Sequence, residues 1–120
     1  MKYYLFLIFY QTLYILYMQR MKLKYVNIFY LFGGATSHSD VYEWKHASEI
    51  VKYGIHNFYS KKDSVLKYLY KTFELGDNPI GLNPIFSNSK NIKNYDVSDT
   101  VKGHFEYKKN LQTILKKLEL

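Results

Sequence analysis

The sequence predicts an α/β fold, a parallel sheet covered by helices, and three observations carry that prediction. Apolar runs such as "KYVNIFYLF" are continuous rather than alternating, as in strands buried on both faces. Segments with helical spacing separate these runs, giving the order α-β-α-β-α-β-α. Strands alternating with helices imply crossover connections and parallel pairing.

The first element, Tyr3 to Met18, is almost wholly apolar, interrupted by Gln11 and Thr12. Sixteen residues of helix reach about 24 Å, short of a hydrocarbon core of about 30 Å. Lys2, Arg20, Lys22 and Lys24 flank it, and no small-residue cleavage site follows. Three readings stay open: a buried helix, a short membrane segment or an uncleaved signal-like anchor. The strand "KYVNIFYLF" ends in Gly33-Gly34. Val41, Trp44, Ala47 and Val51 then mark a helix with Asp40 available as N-cap, and Gly54 stops it. "IHNFYS" is the second strand. A third helix starts at Asp63, carries Val65, Leu66, Leu69, Tyr70 and Phe73, and is closed by Gly76 and Pro79. After a loop over 76–93 containing both prolines, "IKNYDVS" is the third strand. Leu111, Ile114, Leu115 and Leu118 form the apolar stripe of a last helix, backed by Lys108, Lys109, Lys116 and Lys117.

Composition narrows the function classes. A chain of 120 residues, 48% hydrophobic and 19% aromatic, fits one packed domain and excludes wholesale disorder. Without cysteine there are no disulfides, thiolate metal sites or cysteine nucleophiles. The formal net charge of +7 permits nucleic acid or anionic membrane as a partner. The lysines are scattered, so a solvated basic surface is the better reading than a nucleic-acid site. His38, His46 and His56 lack zinc-ligand spacing, and neither a metal nor a cofactor is expected. Gly33-Gly34 lacks the pattern of a phosphate-cradling loop and suits close backbone packing.

The chemistry-bearing candidates sit at the carboxyl ends of strands, where functional groups gather in open α/β sheets. Asp63 follows the second strand and His104 follows the third. An acid after one strand and a histidine after the next is the back half of a Ser…Asp…His triad in α/β-hydrolase order. Each residue also has a plain structural reading. Asp63 can be an N-cap, worth about 1 kcal/mol, and His104 an ordinary residue in the first turn of the last helix. No G-x-S-x-G nucleophile elbow occurs, and Ser37, Ser39 and Ser60 lack its flanking glycines.

"NIFYLFGGATS", Trp44, "YSKKDSVLKYLY", "IGLNPI" and "NYDVSDTVKGHFEYKKNLQTIL" resemble the C-terminal part of the transmembrane and coiled-coil domain family over residues 25–117. The most specific element is V-x-G-H-x-x-Y-x-x-x-L-x-x-I-L, met by Val101, Gly103, His104, Tyr107, Leu111, Ile114 and Leu115. A second, Y-S-x-x-D-x-V-L, is met by Tyr59, Ser60, Asp63, Val65 and Leu66, with Ser64 where relatives often have tryptophan. The resemblance implies a single partial α/β-hydrolase-like domain over 1–120, a three-layer sandwich of about three parallel strands and four helices. It implies that residues 3–18 form the helix after the nucleophile and that the chain begins just past the elbow.

Two functions follow as expectations. One is the C-terminal piece of an esterase- or lipase-like serine-hydrolase domain, with Asp63 orienting and His104 as base, inactive alone for want of a nucleophile. The other is a small basic membrane-associated protein without enzymatic role, anchored by residues 3–18. The free apolar edge expected on the strand at 25–32 would pair with a complementing N-terminal half or a second copy. Localisation stays open between cytoplasm and membrane.

Overall fold

The structure, a computed structural model, describes residues 28–35, 41–72 and 79–118. Its elements in chain order are β1 (Phe29–Phe32), α1 (Val41–Glu49), β2 (Ile55–Tyr59), α2 (Ser64–Thr72), β3 (Ile92–Asp96), α3 (Glu106–Lys109) and α4 (Leu111–Leu115). A 3₁₀ turn over Lys116–Leu118 closes the described chain. The sheet runs β1-β2-β3, parallel throughout. Phe29 is in register with Ile55, and Ile55 with Ile92. The α/β class with three parallel strands is as the sequence predicts, and the last of its expected helices is divided into α3 and α4. The expected helix over 3–18, the cap Asp40 and the far edge of β1 lie outside the described residues.

Because successive strand side chains point to opposite faces, the continuous apolar runs supply two cores. On one face Phe29, Leu31 and Ile55 pack with Trp44, Ala47 and Val51 of the α1 region and with Ile80 and Ile85 of the long loop. On the other, Phe32, Phe58, Val97 and Val101 pack with Tyr107 and Ile114. The stacked rings of Phe32, Phe58 and Tyr95 cross all three strands, at centroid spacings of 4.8 Å in both steps. Helices thus cover the sheet on both faces, a three-layer arrangement.

The long loop is held down by polar side chains. Asn57, fully buried in β2, donates from Nδ2 to the carbonyls of Ile80 and Asn83 and to Asn94 Oδ1. Asn94 Oδ1 also accepts the Ile85 N–H. Asn91 Nδ2 reaches the carbonyls of Ser48 and Val51, satisfying groups that the end of α1 leaves without an intrahelical partner.

The C-terminal stripe is one continuous pattern but two short helices. At the break, the Asn110 backbone N–H keeps its helical bond to the Glu106 carbonyl at 3.1 Å, and its Nδ2 donates to the same oxygen at 2.9 Å. That side-chain bond to the backbone is how asparagine competes with regular helix. His104 lies in the turn before α3, two residues ahead of Glu106, rather than in the first turn of the helix.

Candidate functional site

All three strands are parallel, so their carboxyl ends lie along one edge of the sheet. β1 runs into Gly33, β2 into Ser60–Asp63, and β3 into Val97–His104. The two sequence-predicted residues meet there. His104 Nδ1 lies 2.7 Å from Asp63 Oδ2, with side-chain exposures of 5% and 0%. A carboxylate only accepts, so a neutral imidazole paired with one in this way carries its proton on Nδ1 and its lone pair on Nε2. Nε2 lies on the opposite edge of the ring, and no hydrogen bond from the described residues occupies it.

The other oxygen of Asp63 has a separate task. Oδ1 accepts the backbone N–H of Leu66 at 3.0 Å, the N-cap bond of α2. One carboxylate therefore starts the helix and holds the imidazole. The cap that the sequence allows is present, and the second oxygen meets the His104 ring.

A second bond runs alongside the first. Ser60 Oγ, fully buried, donates to the Val101 carbonyl at 2.6 Å and accepts the Lys62 N–H at 3.2 Å. Ser60 precedes Asp63 by three residues, as Val101 precedes His104, so the loops after β2 and β3 are tied twice in one register. Val97 N–H on the Tyr59 carbonyl and Lys61 N–H on Ser98 Oγ continue the seam. Exposed Lys61 also lies 3.4 Å from Asp96, whose carboxyl is held below its usual range by Ser98 and Lys61 against the opposing effect of burial.

Glycine allows the segments to come this close. Gly33, at φ +60°, would place a Cβ 2.9 Å from the Tyr107 ring and 3.3 Å from His104 Cε1. At Gly81 a Cβ would lie 2.6 Å from the Gly33 carbonyl carbon and 2.8 Å from the Gly34 nitrogen, and would strike Leu66 Cδ1. Gly81 also bridges the segments, donating to the Gly34 carbonyl and accepting the Ser60 N–H. Gly33-Gly34 is thus a packing device beneath the imidazole. Tyr107 closes the floor; burial first, and then the nearby Asp63 carboxylate, raise its phenol above the ordinary range.

The family pattern of DUF726, described as "Protein of unknown function", matches residues 7–120. The chain belongs to that family. It is 38% identical over 74 residues to an uncharacterized membrane protein of Caenorhabditis elegans, covering 61% of this chain and 12% of that protein. It is 32% identical over 83 residues to an uncharacterized membrane protein of Schizosaccharomyces pombe, covering 69% and 14% respectively. This DUF726 chain thus spans about an eighth of the length of these curated relatives. No solved structure matches it.

Within this DUF726 region, sequence reasoning found the acid and the histidine but not the residues that hold them. Ser60 enters the sequence reading as a serine without elbow glycines and as a member of the Y-S-x-x-D-x-V-L pattern, and Gly81 only as part of "IGLNPI", with no role attached to either. The signal for Asn57 was present: an asparagine inside the apolar run "IHNFY" is costly unless its amide is bonded. Ser37 and Ser39 lie outside the described residues. Among the described residues no cluster of three or more His, Asp or Glu could hold a metal, and no helix is long and apolar enough to cross a membrane. Residues 3–18 lie outside that description.

Proposed function

We propose that Asp63 and His104 are the acid and base of an esterase- or lipase-like serine-hydrolase site, and that this chain alone is inactive. The observation that carries the proposal is the buried 2.7 Å bond from Nδ1 to Oδ2, which leaves Nε2 as the basic nitrogen. In a triad that nitrogen takes the nucleophile's proton, while the carboxylate fixes the tautomer and stabilises the imidazolium. Inactivity of the isolated chain is supported by the serines themselves. No serine hydroxyl among the described residues bonds His104, and Ser60 Oγ is committed to Val101. Without a nucleophile, only binding and oxyanion terms are left.

Nitrogen-15 NMR of the imidazole tests the base assignment. The expected spectrum has His104 protonated on Nδ1 and bare on Nε2; a neutral ring protonated on Nε2 would sink the proposal. Short acyl esters should not be turned over by the purified chain, and turnover abolished by His104→Ala would show that a serine within it acts.

A second reading, membrane association, is supported by the names of the two curated relatives, both called membrane proteins. In that reading residues 3–18 anchor the chain. Release from a membrane fraction by high salt alone would argue against insertion.

A further inference from the structure

Phe105 is 83% exposed, although its ring stands edge-on to the buried His104 imidazole with centroids 5.4 Å apart. A phenyl ring gains by leaving water, and the residues around this one are mostly lysines. Positions three and four apart share a helix face, so Lys108 and Lys109 flank Phe105 on the outer side of α3. Lys102 precedes it by three residues, and Gln112 and Lys116 continue the same side. All of these are exposed, while His104, Tyr107 and Ile114 form the buried side.

This outer face is strongly basic. Lys108, Lys109 and Lys116 have no carboxylate within ion-pair distance among the described residues. Lys62, on the loop that carries Asp63, lies against Lys102 and lowers its pKa. Among the described residues the acid on this stretch is half-buried Glu106, since Asp99 is paired with Lys117 at 3.3 Å. Exposed lysines at helical spacing on either side of one exposed aromatic side chain match an anionic bilayer surface, where lysines stay at the headgroups and the ring inserts. It fits nucleic acid less well: Arg20 is the chain's single arginine, and bidentate phosphate recognition uses arginine.

We infer that the face formed by Lys102, Phe105, Lys108, Lys109 and Lys116 docks on anionic lipid, with Phe105 as the inserting group. The inference names a partner surface beside the proposed hydrolase-like site and rests on that reading only for its meaning, since Phe105 directly follows His104 in the chain. Binding itself is read without turnover. A failed vesicle experiment therefore leaves the acid–base assignment standing, and a failed tautomer experiment leaves this one standing.

The test is co-sedimentation of the full chain with phosphatidylcholine vesicles, with and without phosphatidylserine. Binding should require phosphatidylserine and fall as salt is raised. Each lysine near a charged surface is worth roughly fivefold in affinity, so Lys108→Glu with Lys109→Glu should weaken partitioning at least about twenty-fivefold. Phe105→Ala should weaken it several-fold and Phe105→Leu much less. Lys67→Glu with Lys71→Glu makes the same charge change on exposed α2 positions and should leave binding within about twofold. Equal loss in that control would reduce the effect to net charge and overturn the inference. Binding to neutral vesicles that ignores all these variants would also overturn it, as would tighter binding to a short DNA duplex that is unaffected by Phe105→Ala.

Discussion

Replacing Asp63 in two ways separates its two bonds. Asp63→Ala removes both. The lost α2 cap costs about 1 kcal/mol, and a buried imidazole N–H left without an acceptor costs about 1–3 kcal/mol. Together these come to about 3 kcal/mol, which lowers Tm by roughly 12 °C for a domain of this size. Asp63→Asn preserves the shape. Its amide oxygen still caps Leu66, and its Nδ2 faces His104 where Oδ2 stood. An amide nitrogen donates, so the imidazole must present a bare Nδ1 and carry its proton on Nε2. The expected cost is under about 1 kcal/mol, because a buried bond is reversed rather than lost. Urea unfolding gives the two stabilities and imidazole nitrogen-15 shifts give the tautomer. If Asp63→Asn were as destabilised as Asp63→Ala, or kept the Nδ1–H tautomer, the assignment of one oxygen to each task would be wrong. The asparagine variant is also the sharper functional probe in any longer active form, since a well-folded site with Nε2 protonated cannot accept a nucleophile's proton.

Two further outcomes follow from packing and burial. Gly81→Ala forces a methyl group onto the Gly33–Gly34 backbone, which unlike a side-chain tip cannot swing away. It should cost about 1–3 kcal/mol, and a urea midpoint equal to wild type would show that these segments are not in contact. His56 is buried, its Nδ1 3.0 Å from the Tyr95 hydroxyl, and burial lowers its pKa below the ordinary 6.5, reinforced by Lys93 and partly opposed by a backbone hydrogen bond at Tyr53. The unfolded chain therefore takes up this proton first as pH falls. The His56 contribution to stability is intact above about 6.5, declines below it, and levels off below the folded pKa. Thermal melts from neutral to mildly acid pH should show this slope, and His56→Phe should flatten it; an unchanged slope in the variant would assign it to other groups.

Much of the architecture was legible because continuous apolar runs have few solutions. "NIFYLF" and "IHNFY" suit strands buried on both faces, and helical spacing between them leaves parallel pairing as the arrangement. Parallel strands place all their carboxyl ends on one edge, so Asp63 and His104 converge through topology, not sequence proximity. The supporting residues were not legible, because their roles depend on which backbone lies opposite. Ser60 finds the Val101 carbonyl 41 residues away. Gly81 matters because Gly33 and Gly34 lie against it. The break at Asn110 was hidden for a different reason. Leu111 and Ile114 continue the apolar stripe across it, so periodicity reports a single helix where the asparagine side chain has closed one turn early.

Capping α2 does not compete with the bond of Asp63 to His104, because each uses a different oxygen. A cap needs one acceptor, which serine, threonine or asparagine supplies without desolvating a charge. Here the capping residue is a fully buried aspartate whose second oxygen meets a buried imidazole. A buried polar pair seldom stabilises a fold better than apolar side chains of the same volume. Stability alone therefore gives little reason for an acid and a histidine at this point, on an edge otherwise closed by glycine and tyrosine. The neighbouring Ser60–Val101 bond sharpens the point. Both ties join residues 41 apart, so a one-residue slip of the loop after β3 would break both together. A tie through the serine fixes the loop already; the second adds a defined ring orientation and tautomer. Those are the properties that the proposed proton transfer would use.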